Sequence, residues 1–180
     1  MQLTSLHEVF VDQIKDLYSA ENQIIKALPK MAKAASSPEL KQAFETHLQQ
    51  TRAQVGRLDQ VMEICEITGK KKCKGMEGLL EEGSEVLEMK DDSSPAALDA
   101  ALIAAAQRVE HYEIASYGTA CTHAKLLGQR DALELLKETL NEEEETDKKL
   151  SDIASGVNLE AAEARPEDAP VKGRKTRTAR

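Results

Sequence analysis

Helix punctuation constrains this chain more than any motif does. Two Ser-Pro pairs, Ser37-Pro38 and Ser94-Pro95, stand where long periodic stretches begin. Serine is a good N-cap, and proline suits the first helical position. Gly69 and Gly128 stand where such stretches end, the common place for a terminating glycine. With 9 glycines and 5 prolines in 180 residues, few other breaks are available. Between the breaks, apolar residues recur at the i, i+3, i+4 spacing of one helical face.

Four long helices follow from this pattern. The first runs from about Leu6 to Ala35, on Leu6, Phe10, Leu17, Ile24, Leu28 and Met31, with Pro29 weakening its end. Ser5 and Glu8 have the spacing of a capping box. The second begins at Ser37-Pro38 and stops before Gly69, on Leu40, Phe44, His47, Thr51, Val55, Leu58, Met62 and Cys65. The third runs from Ser94-Pro95 to about Leu127, and the fourth from about Asp131 to Ala154. Between the second and third lie a charged loop at 70–74 and a short amphipathic helix from Met76 to Met89. That crossover is too long for a tight helical hairpin. Two long hairpins joined by such a crossover make an all-α, antiparallel four-helix bundle of ferritin-like connectivity. The bundle is expected over residues 1–156. Residues 157–180, where periodicity fades into Ala, Glu and Pro, are expected to be a disordered tail.

Composition agrees and excludes. Aromatics are 3% with no Trp, against a β-sandwich or barrel. The net charge of −8 argues against a basic nucleic-acid binder. The tail from Arg165 nevertheless carries six basic against two acidic residues. Cys65, Cys73 and Cys121 are odd in number and form no CxxC, which reads as reduced thiols in a cytoplasmic protein. No apolar run approaches the roughly 18 residues of a membrane span, and the start MQLTSLHEVF lacks the pattern of a signal peptide. GxSxG, P-loop, GxGxxG and HExxH are all missing.

The informative residues interrupt the apolar stripes. On the fourth helix, Glu143 and Asp147 fall in the seam of Leu133, Leu136, Leu140, Leu150 and Ala154. Residues four apart project within about 40° of each other. On the third, Glu113 lies on the stripe of Leu98, Leu102, Ala106, Val109 and Ala120, with Glu110 flanking it. Glu21 sits between Leu17 and Ile24; His47, Thr51 and Gln54 sit among Phe44, Val55 and Leu58. Each helix thus turns oxygen or nitrogen donors toward the axis near mid-length. Buried carboxylates require compensation. Inward acids with imidazole are how bundles build two-metal sites, and iron or manganese suits such a donor set. His7, His111 and His123 read as surface or locally hydrogen-bonded residues, and Tyr18, Tyr112 and Tyr117 as core or rim aromatics.

The segments around DLYSAE, HLQQT, EHYEIASYGT and LLKETLNEEEETDKKL resemble the YciE/YciF family of bacterial stress-associated, ferritin-like proteins, over about 4–155. The resemblance implies homodimers, a dinuclear iron or manganese centre and ferroxidase activity. It places the family's inward acids on Glu21, Glu110, Glu113, Glu143 and Asp147. Glu113 and Glu143 become bridging candidates; Glu21, Asp147, His47 and Gln54 become terminal ones. The second helix departs from the pattern, with Gln49, Gln50 and Gln54 where acids or His are usual, and Glu-x-x-His is missing from both hairpins. Two other readings stay open. One is a non-enzymatic stress protein with a vestigial site, acting through its surface or dimer. The other is nucleic-acid association through the basic tail.

Overall fold

Ser5, Ser37 and Ser94 each open a helix as their contexts require. The computed structural model describes residues 4–164. Its helices are α1 (Leu6–Ala34), α2 (Pro38–Ile64), α3 (Lys74–Glu88), α4 (Pro95–Leu126) and α5 (Arg130–Glu163), with a 3₁₀ turn at Met89–Asp92. Ser5 Oγ accepts from Glu8 N while the Glu8 carboxylate accepts from Ser5 N, closing the capping box. Ser37 and Ser94 cap the amides of Leu40 and Ala97. Gly128, at φ +72°, closes a Schellman motif in which Gln129 N donates to Ala124 O. Glu66 plays the same part after α2 at φ 53°, with Ile67 N donating to Met62 O. Helix α2 therefore ends at Ile64, short of Gly69.

The helices pack as two antiparallel hairpins. Phe10, Ile14 and Leu17 of α1 share one apolar cluster with Leu58 and Val61 of α2, Tyr117 and Ala120 of α4, and Leu136 of α5. A second cluster joins Ile24 and Leu28 to Leu40, Phe44, Leu102, Val109 and Leu150. The starts of α1 and α5 thus lie at the same end as the finishes of α2 and α4. That is the ferritin-like arrangement. The seams are α1/α2, α2/α5, α5/α4 and α4/α1, and α3 lies across α4 and α1. Among the described residues, no helix is long and apolar enough to cross a membrane.

Two expectations need correcting. Helix α5 does not stop at Ala154; it continues through Gly156 to Glu163, with Ile153 and Val157 buried in the second cluster. The expected tail therefore cannot begin at 157, and its basic end lies outside the described residues. The inward face of α5 is also rotated: Ala132, Leu136, Thr139 and Glu143 are buried, while Leu133 and Leu140 lie at the flank. On this rotated face Thr139 is buried, and its hydroxyl accepts from Arg57 Nε at 2.9 Å across the α2/α5 seam. Gln54 rather than Val55 likewise faces inward on α2.

Candidate metal centre

Between the two apolar clusters lies a polar layer built from four helices. Glu21 of α1, His47, Thr51 and Gln54 of α2, Glu110 and Glu113 of α4, and Glu143 of α5 are all buried. His47, Glu110, Glu113 and Glu143 each place a ligand atom so that all four atoms lie within 4.8 Å of one another. His47 Nε2 is 3.5 Å from Glu110 Oε1 and 3.9 Å from Glu143 Oε2. The i, i+3 spacing of Glu110 and Glu113 puts both on one face of α4.

The remaining candidates surround this group differently. Glu21 lies outside the four-residue group, but its charge adds to the burial that raises the Glu113 carboxyl. Glu21 Oε1 accepts the Tyr117 hydroxyl at 2.5 Å. Gln54 Nε2 donates to both Glu143 and Glu142, so its amide holds these acids of α5 in place. Asp147 is not brought into the group. It accepts from Gln107 Nε2 at 3.1 Å and lies 3.3 Å from His111 Nε2, on the α4/α5 rim. The rotation of α5 that centres Glu143 carries Asp147 off the axis.

Several contributing residues carry no sequence signal of their role. Tyr117 reads as a core aromatic, and only the tertiary structure aims its hydroxyl at Glu21. Glu142 belongs to a run of four glutamates that reads as a solvated face. It is instead the shared acceptor of Gln54 and Arg57. Arg57 also donates to Glu138 at 2.7 Å. Its periodicity shows a helical position but not its partners.

Burial and mutual repulsion set the electrostatics of the group. Burial, then the Glu143 charge, holds the carboxyls of Glu21 and Glu110 well above the ordinary range. Burial, then Glu21, does the same to Glu113. Burial pushes Glu143 up to about 7. Burial also pulls His47 down to about 4, leaving its imidazole neutral. Buried polar atoms are nearly always hydrogen-bonded. Here Glu113 Oε1 and Oε2, Glu110 Oε2, Glu143 Oε2, Glu21 Oε2, Gln54 Oε1 and both His47 nitrogens have no partner. Orphaned acceptors, four carboxylates and a neutral imidazole fit a hard or borderline divalent cation.

The domain of unknown function DUF892 matches residues 5–163. The chain belongs to the DUF892 family. Protein YciF of Escherichia coli (strain K12) is 51% identical over 164 residues, covering 89% of this chain and 98% of YciF. The crystal structure of the E. coli stress protein YciF matches with a TM-score of 0.83 at 49% identity, over 87% of this chain and 98% of that one. YcfI from Rhodopseudomonas palustris follows at 0.79 and 38%, over 83% and 95%. The likeness read from DLYSAE and EHYEIASYGT is therefore upheld along most of the DUF892 chain. In this DUF892 member the buried His47 and glutamate cluster is a group that could hold a metal ion.

Proposed function

We propose that the protein is a ferritin-like stress protein working through a dinuclear iron or manganese centre, with Fe(II) or peroxide as substrate. The observation that carries this reading is the set of unpartnered, buried oxygen and nitrogen atoms converging from four helices. Their cost is hard to justify without a bound cation. Glu113 and Glu143, together with His47, Glu110 and Glu21, would hold the ions. When bound, two redox-active metal ions would supply electrons and open coordination positions for oxygen or peroxide chemistry.

The chain's own residues prepare that site. Neutral His47 offers a lone pair at neutral pH. Tyr117 donates to one oxygen of Glu21 and leaves the other free. Gln54 and Arg57 fix the Glu142–Glu143 segment from across the seam. The apolar clusters on either side limit bulk water. The protein is also proposed to act as a cytoplasmic homodimer, which light scattering on untagged protein would test.

The deciding experiment is metal content by elemental mass spectrometry, before and after anaerobic addition of Fe(II) or Mn(II). About two ions per chain are expected, lost in the Glu113→Ala/Glu143→Ala variant. No uptake, with a fold indifferent to chelator, would overturn the reading in favour of a vestigial site and a function at the surface.

A further inference from the structure

The clustered ligand atoms are almost wholly buried, so an ion must have a way in. The four seams of the bundle are not equivalent. Helix α3 lies over α1 and α4, covering that side. On the α2/α5 seam, Arg57 reaches across to Glu138 and Thr139 and closes it toward one end. Beyond this brace the seam opens into a cavity of about 250 Å³, whose walls include His47 and Glu110. Thr46, Glu145 and Lys149 line it and are exposed, whereas His47 and Glu110 are buried. The cavity therefore joins solvent to two members of the cluster. Both His47 nitrogens and Glu110 Oε2 are among the atoms without a partner. Four other cavities are lined by none of the cluster residues.

We propose that this cavity is the route by which a divalent cation reaches the buried carboxylates, with Glu145 and Lys149 setting the charge at its mouth. The inference rests on the metal reading above and adds the route. A carboxylate at the mouth raises the local concentration of cations, and an ammonium lowers it. The lining also suits a passing ion better than a resident organic ligand. Polar Thr46, Gln50 and Thr146 lie on the same walls as Phe44 and Leu150, so donors to an ion are available along the way.

The test is the rate of Co(II) uptake by full-length, chelator-stripped protein, followed by the visible absorption of the bound ion. Thr46→Trp should slow loading while leaving the final Co(II) stoichiometry unchanged. Glu145→Lys should slow it by about tenfold at low ionic strength, and Lys149→Glu should accelerate it. Both charge effects should shrink as salt shortens the Debye length. Glu81→Lys, the same charge change on α3, should load as the wild type does. Thr46 and Glu145 are exposed, and circular dichroism would confirm that each variant is folded. Loading at the wild-type rate in Thr46→Trp, Glu145→Lys and Lys149→Glu would overturn the route while leaving the metal centre standing. Failure of the wild type to take up Co(II) would overturn the metal reading and the route with it.

Discussion

At the scale of single residues, the buried acids dominate the behaviour of the metal-free protein. Glu21, Glu110, Glu113 and Glu143 all have folded-state carboxyls raised above their unfolded values. Such groups bind their protons more tightly in the native state. The stabilisation is complete below the unfolded value and is lost as pH rises through the folded one, near 7 for Glu143. His47 acts oppositely, costing stability as pH falls below its unfolded value toward about 4. Four carboxyls outweigh one imidazole. In chelator, the melting temperature is expected to be higher at pH 5 than at pH 8; a flat profile would show that the acids are satisfied in some other way. Tyr117 is the second residue-scale test. Tyr117→Phe removes the donor to Glu21 and should cost about 1–3 kcal/mol in urea unfolding.

At the scale of elements, α3 shows how local preference and tertiary contact compete. Cys73 caps it through Sγ, which accepts from Met76 N at 3.3 Å. The same sulfur lies 2.9 Å from Tyr112 Oη, whose hydroxyl donates to Asp16 at 2.5 Å. A Cβ added at Gly75 would come within 2.9 Å of the Tyr112 ring, whereas one at Gly78 would meet nothing within 4 Å. Gly78→Ala should therefore stabilise the protein by about 1 kcal/mol through helix propensity. Gly75→Ala should lose that gain and destabilise by roughly 1–3 kcal/mol, because Tyr112 must leave its hydrogen bonds. Thermal melts of the two variants should move in opposite directions. A common shift would mean that α3 is held without the Tyr112 contact.

At the scale of the whole molecule, the bundle is two apolar layers with a layer of buried acids between them. A cation that neutralises the middle layer binds the native state and not the unfolded one. At about 100 times its dissociation constant it would add roughly 2.7 kcal/mol, which for a chain of this size raises the melting temperature by about 5–11 °C. Mn(II) should produce such a rise in the wild type, measured by calorimetry, and Glu113→Ala/Glu143→Ala should abolish it. A rise of equal size in the variant would place the binding elsewhere.

The helices and their hairpin connectivity were legible because they depend on neighbours in sequence. Ser5, Ser37 and Ser94 cap what they precede, and Leu17, Ile24, Leu102 and Leu150 bury the faces that their spacing defines. The mid-length polar layer was legible too, since a glutamate on an apolar stripe is conspicuous. The rotation of α5 was not. It brings Thr139 to Arg57 across a seam, and it decides that Glu143 faces the axis while Asp147 pairs with His111 and Gln107. Asp99 was equally silent: its carboxylate accepts from Ser36 N and Ser37 N and ties α4 to the turn between α1 and α2. Periodicity reports which side of a helix is apolar. The final angle of that side, and the partner of each buried polar atom, are set by residues tens of positions away, where packing and desolvation choose one arrangement among several that local preference allows.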